Sequence, residues 1–267
     1  MNCKTGEVWR EVQMDSYSRE YYQDIDYKPE LFYVIFGVSG SGELEVSRER
    51  HRVDEFPEGL ELQLLDREKD GAYMDELLGG TIGQVLQRNH AAAYGRCVET
   101  EQWAVIRGQV QRDDTLDYLR NVIGFVQAFV DQGAVGVMDV MTISLMSAEE
   151  WTGKLFEPEF NPWKHVTILI SEEADGSRWL HTRGMRKFGR PDISFHGIGV
   201  DKVDDVAAVV NQMIYYGARG AFFGRDVKLH TQSGKAFVVR PEFVEDFENF
   251  DFNNAYYEAE VLGEETE

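Results

Sequence analysis

The run Leu31–Val38, Leu-Phe-Tyr-Val-Ile-Phe-Gly-Val, is apolar on both faces of any strand it could form. Strand side chains alternate between faces. A run like this must therefore be covered on both sides and lie inside a layered structure. The patterns around it decide what kind. Leu60, Leu62 and Leu64 alternate and predict a half-buried strand over 60–65. Further strand patterns occupy Trp103–Val110, Ala134–Met138, Met141–Met146, His165–Ser171, Trp179–Thr182, Ile193–Val200, Ala221–Phe223 and Ala236–Val239. Asp70-Gly71 and Asp175-Gly176 read as turns.

Helical periodicity appears over Thr81–Tyr94, with Ile82, Val85, Leu86 and Asn89 on one face. After Asp113-Asp114, an apolar stripe of Leu116, Leu119, Ile123, Val126 and Val130 runs to Gly133. Ser147-Ala148-Glu149-Glu150 has capping-box spacing and predicts a short helix through Leu155. A further helix follows Asp204-Asp205, with Val206, Val209, Val210, Met213 and Ile214 on one face and Gly217 at its end. Strands and helices mix without regular βα alternation. That predicts an α+β fold, with mixed or antiparallel sheets and helices on one face. Gly133-Ala134-Val135-Gly136 and Gly217-Ala218-Arg219-Gly220 echo each other after their helices. Two related β-α-β halves would produce the echo. So would a Gly-Ala-x-Gly stretch that merely stops one element and starts the next.

The predicted organisation is a surface arm over 1–30, an N-terminal half over 31–156, a C-terminal half over 157–245 and an acidic tail over 246–267 that ends in the solvated run Glu264-Glu265-Thr266-Glu267. Tyr17, Tyr21, Tyr22 and Tyr27 give the arm aromatics that dock on its own body or on a partner. Glu157–Pro162, with two prolines and no periodicity, marks the boundary between the halves.

Charge narrows the function. Lys and Arg number 27 against 48 Asp and Glu, so the formal net charge is −21. Long-range repulsion then opposes nucleic acid and anionic membranes and favours a basic partner. No apolar run reaches the 18 or so residues of a membrane-spanning helix. The start Met1-Asn2-Cys3-Lys4 lacks a signal pattern, and Cys3 and Cys97 make neither a disulfide framework nor a zinc knuckle. A cytoplasmic protein without cofactor or metal is expected.

Motif by motif, catalysis finds little support. Gly37–Gly42 follows a strand but lacks the Lys-Ser/Thr of a phosphate loop, and Glu43 and Glu45 follow it. Phe36–Gly40 misses the Gly-x-Ser-x-Gly elbow. His165, His181 and His196 fall near three successive strands, with Asp192 as a possible fourth ligand, but no ligand spacing links them. Cys97 reads as buried rather than nucleophilic, because no neighbour lowers its pKa.

One segment stands out. His181-Thr182-Arg183-Gly184-Met185-Arg186-Lys187-Phe188-Gly189-Arg190-Pro191-Asp192 places four basic residues within eight positions of a strongly acidic chain. Arg183, Arg186, Lys187 and Arg190 are the candidate anion-binding residues, because guanidinium groups match phosphate and carboxylate bidentately. His181 is the candidate acid or base. The same cations could instead pair with internal acids such as Glu172, Glu173 or Asp192 and pin the loop.

This segment resembles a stretch of an uncharacterised bacterial domain family of unknown function, in which His-Thr-x-Gly…Phe-Gly-x-Pro-(Asp/Glu) precedes a strand and a helix. Val137-Met138-Asp139 and Ser147–Trp151 are similar to that family's strand, acidic turn and helix. The resemblance spans roughly 100–240 and implies a cytoplasmic bacterial α+β protein, with no reaction attached.

The leading expectation is a soluble, non-catalytic binding protein of inhibitor or immunity type for a basic protein partner, by electrostatic complementarity. The alternatives are an enzyme or sensor for a small anionic or phosphorylated ligand at 181–192, and a structural or assembly component. Oligomeric state is left open.

Overall fold

The computed structural model describes residues 17–39, 43–231 and 234–265. Its helices pack with two sheets in an α+β arrangement. In the first sheet the two-faced strand β1 (Glu30–Phe36) is central. It runs antiparallel to β3 (Gln102–Gln109) on one side and β4 (Gly136–Asp139) on the other. β2 (Leu60–Asp66) and β5 (Ser144–Ser147) complete the order β2-β3-β1-β4-β5.

The two faces of β1 meet different layers. Leu31, Tyr33 and Ile35 pack with Leu119, Val122, Ile123 and Val126 of α5 (Asp117–Asp131). Val34 and Phe36 pack with residues of α2 (Arg67–Leu77), α3 (Gly80–Asn89) and α4 (Ala91–Val98), including Met74, Leu86 and Cys97. Each fully buried aliphatic side chain of this kind contributes about 1.5–3 kcal/mol. Helices thus cover the first sheet on both faces, as a strand apolar on both sides requires.

The second sheet holds β6 (Thr167–Glu172), β7 (Arg178–Arg183), β8 (Asp192–Ile198), β9 (Val227–His230), β10 (Ala236–Val244) and β11 (Tyr256–Glu265) in the order β6-β7-β8-β11-β10-β9. All neighbours are antiparallel except β8 and β11, which run parallel. α7 (Val203–Ala218) buries Val206, Val209, Val210, Met213 and Ile214 in the same apolar cluster as Leu180, Ile193, Phe195 and Tyr257. That cluster also contains the α5 side of the first sheet, so one core joins the two halves. α6 (Ala148–Lys154) starts at the predicted capping box, with both reciprocal bonds of Ser147 and Glu150 present.

Several expectations are corrected. Residues 246–267 are not simply a tail: Tyr256–Glu265 is a strand of the second sheet, paired with β10 along its length and with β8 through Tyr256–Glu258, while Thr266 and Glu267 lie outside the described residues. Alternating Tyr257, Ala259 and Val261 turn its apolar face to the core, and the flanking glutamates hide that period in the sequence. The described part of the arm runs over the surface and docks on the chain's own body, one of the two expected alternatives. Tyr17 and Arg19 are buried, and the segment bonds to both halves through Leu116, Arg219 and Gly220.

Asp70 and Gly71 do not form a turn but lie within α2, where the Asp70 carboxylate accepts from Asp66 N–H and Asp66 caps the helix. The helix expected over 81–94 breaks at His90. Ala221–Phe223 forms no strand. The strand after α5 therefore sits beside β1, whereas the strand after α7 is the outer edge β9, and the sequence echo has no matching topology. Gly40, Ser41 and Gly42 lie outside the described residues, as does Cys3.

Candidate functional site

The four basic side chains of the 181–192 segment are all engaged by internal acceptors. Lys187 is fully buried on the short 3-10 turn Met185–Phe188, and its ammonium donates to the carboxylate of Asp139 at the end of β4. Arg190, also buried, donates only to main-chain carbonyls: Gly189 at 2.6 Å, Gln23 at 2.7 Å, and Gly220 and Ala221. Burial, and then the nearby Arg19 cation, bring its pKa down to about 10. Arg183 donates to the carbonyls of Phe250 at 2.8 Å and Asp251 at 2.9 Å. Arg186 donates to Asn253 O at 2.6 Å and to the Glu30 carboxylate. These acceptors take up most of the donors an incoming anion would need, while the buried Arg183 Nε and His181 Nδ1 have no hydrogen-bond partner. The segment is bent to reach these acceptors by Gly184 (φ +116°) and Gly189 (φ +58°). A Cβ at Gly184 would sit 2.6 Å from His165 O.

Asp113, one of the two acids that precede α5, joins the same network rather than the helix start, where Leu116 is the N-cap residue. Arg19 donates to its carboxylate at 3.1 Å and to Phe188 O at 2.7 Å, and Lys28 reaches it at 3.0 Å. Asp192 is fully buried at the start of β8. It accepts from Thr182 Oγ1 at 2.7 Å, Asn254 Nδ2 at 2.7 Å and Met185 N–H at 3.2 Å. Burial raises its carboxyl to about 6 against the pull of those bonds.

His181 lies on β7 with its ring stacked on Trp179 at 4.0 Å and edge-on to Phe252 at 5.5 Å. Burial lowers its pKa to about 4. His196 stacks on the same indole at 4.9 Å. His165 is distant from this pair in role: it stacks on Phe160, and burial holds it well below the usual imidazole range. Among the described residues no group of three His, Cys, Asp or Glu is placed to hold a metal. Cys97 is buried, and burial pushes its thiol up to about 12.

What the basic segment holds is the connection between β10 and β11. Its sequence, Glu245-Asp246-Phe247-Glu248-Asn249-Phe250-Asp251, alternates acids with aromatics. The base of this loop is anchored. Phe252 is buried and stacks on Tyr256 at 4.2 Å. Asn254 donates to Arg190 O and Asp192. Tyr27 OH donates to Asn254 and accepts from Ala255 N–H. Asn249 folds the tip by accepting from Asn253 N–H at 2.8 Å and Asp251 N–H at 3.0 Å. Phe247 lies against Tyr27 under the Arg186 guanidinium. Above these contacts Phe250 stands 95% exposed among the exposed carboxylates of Glu245, Asp246, Glu248 and Asp251.

The second sheet also opens at its other end. β8 and β11 pair through three residues, ending at Glu258↔Ser194. They then diverge around a cavity of about 520 Å³, with His196, Lys202, Arg240, Glu242, Glu258 and Glu260 among its lining residues. A bulge turns β8 aside. Gly197 (φ +65°) donates its N–H to Glu173 at 2.7 Å, and His196 Nδ1 lies 2.9 Å from the same carboxylate.

No family model, no curated protein and no solved structure matches this chain. Sequence reasoning found the basic segment but missed Phe250, Glu242 and Glu258. The available signal was the acid–aromatic alternation of 245–251, in which apolar side chains recur without strand or helix partners.

Proposed function

We propose that the chain is a non-catalytic binding protein for a basic protein partner, and that the Phe250 loop is its contact element. One observation carries the reading: a nearly fully exposed phenylalanine on a loop fixed from below by Arg183, Arg186, Tyr27 and Asn254. Soluble proteins scatter single apolar residues on their surfaces. They do not ordinarily hold one aloft on a braced loop whose sequence neighbours include four exposed acids. A rigid aromatic anchor loses little entropy on docking and fills a pocket, which is the character of an interface hot spot. The surrounding carboxylates and the net charge of −21 would speed encounter with a basic surface and reject acidic ones. The partner is thus a protein with an apolar socket rimmed by Lys or Arg.

The anionic-ligand alternative at 181–192 loses support, because each of its cations has internal acceptors. The test is affinity capture from the producing cells with the wild-type chain and with Phe250→Ala. A basic protein at fixed stoichiometry, lost with the variant and released by salt, supports the reading. Equal capture by both, or salt-insensitive capture, refutes it.

A further inference from the structure

The diverging end of β8 and β11 carries a second inference, separate from the Phe250 loop at the opposite end of these strands. Beyond Ser194 and Glu258 each strand keeps a ladder on its outer side. Pro241, Arg240 and Val239 of β10 pair with Ala259, Glu260 and Val261, and β7 pairs with Phe195 and Ile198. Between the strands no ladder pair forms, and the cavity takes its place. No strand joins the two across this slot over about 10 Å, some three residues of strand, and the Gly197 N–H is turned away to Glu173.

The charges on its wall are arranged against the sheet's own stability. Glu242 of β10 stands directly opposite Glu258 of β11, and like charges in that position repel. Arg240, the cross-strand neighbour of Glu260, is held by two bonds to Asp226. Among the described residues no lysine or arginine forms an ion pair with Glu258. Ser194 Oγ donates to it at 3.2 Å and the His196 ring lies 3.9 Å away, while Lys202 and Arg240 line the same cavity without pairing with it. Burial pushes the Glu258 carboxyl upward, against the pull of His196 and the Ser194 hydroxyl, with Glu173 and Glu242 adding smaller upward pushes. A cation supplied from outside would relieve both the repulsion and the burial.

We infer that this slot binds an extended segment of another chain carrying lysine or arginine at alternate positions, paired along β11 with its cations over Glu242, Glu258 and Glu260. Strand addition uses the open main-chain groups, and the carboxylates select the side chains on one face. A small polyamine would meet the charge but leave the main chain unpaired.

The probe is the blocked heptapeptide Lys-Val-Lys-Val-Lys-Val-Lys, tested on the full chain by fluorescence anisotropy and amide hydrogen exchange. A matched peptide with alternate amides N-methylated keeps the charge and removes strand pairing. The parent peptide is expected to bind and to protect amides in 195–199 and 259–261. The methylated peptide is expected to bind about tenfold or more weakly, the loss of one to two net hydrogen bonds. Glu242→Lys, at an exposed position, weakens binding at least several-fold, and Phe250→Ala leaves it unchanged. Equal binding of the two peptides overturns the inference. So does protection elsewhere, loss of binding in Phe250→Ala, or no binding of the parent peptide at millimolar concentration.

Discussion

Replacing Lys187 with Met tests whether the basic segment is scaffold or ligand site. The ammonium is fully buried and meets the Asp139 carboxylate, itself 3% exposed, across the junction of the two halves. Met keeps the length and apolar stem of lysine and removes the charge. Asp139 would then retain only the Met141 N–H, at 3.0 Å, as a donor. An uncompensated buried carboxylate costs about 3–5 kcal/mol, a large part of a domain stability of roughly 5–15 kcal/mol. Adding Asp139→Asn removes the stranded charge. Since a neutral pair of similar volume can replace a buried ion pair at little net loss, the double variant is expected within about 1–2 kcal/mol of wild type. The assay is urea unfolding followed by tryptophan fluorescence at constant m-value, arranged as a double-mutant cycle. A loss below about 1 kcal/mol for Lys187→Met would refute the structural role argued here. So would additivity of the two substitutions.

Four other outcomes follow from the same geometry. His181 has a folded pKa near 4, below its unfolded value, so its contribution to stability is full above about pH 6.5 and lost as pH falls toward 4. Asp192, raised to about 6, works in the opposite sense, favouring the fold at low pH and losing that advantage as pH rises through 6. His181→Phe, which keeps the stack on Trp179, should therefore gain about 2–3 kcal/mol relative to wild type at pH 4.5 compared with pH 7.5; an unchanged difference in urea midpoints contradicts this. Arg183→Ala frees the carbonyls of Phe250 and Asp251, and hydrogen exchange over 245–254 should accelerate while α5 amides stay protected. Phe250→Ala should leave unfolding within about 0.5 kcal/mol of wild type, as for an exposed side chain. Cys97 should react with a thiol reagent only as fast as the protein opens, because its thiol is buried and stays protonated.

The α+β class was legible because it rests on local signals. The two-faced β1, the stripes of α5 and α7 and the capping box at Ser147 each declare their element within a dozen residues. What failed depended on distant partners or on local signals that compete with one another. Asp113 stands before α5 like a cap, yet Arg19, Tyr22 and Lys28 claim its carboxylate from a segment ninety residues away. Glu258, Glu260 and Glu264 conceal a strand whose apolar face is spaced between them. Asp70-Gly71 has turn chemistry, but Asp66 caps the helix that absorbs it. The site divided the same way. The density of Arg and Lys over 183–190 marked the segment. Whether those cations face solvent or carbonyls was not readable, because their acceptors come from Gln23, Asp139, Gly220 and the 250–253 loop.

The most direct test of the central claim is native mass spectrometry of the chain purified gently from its own cells, beside Phe250→Ala handled identically. The account predicts a complex of fixed stoichiometry with a basic protein. That complex should be absent for the variant and should dissociate as ionic strength rises past the point where the Debye length is about 8 Å. A wild-type chain that flies alone, or a complex that survives both the substitution and the salt, would contradict it.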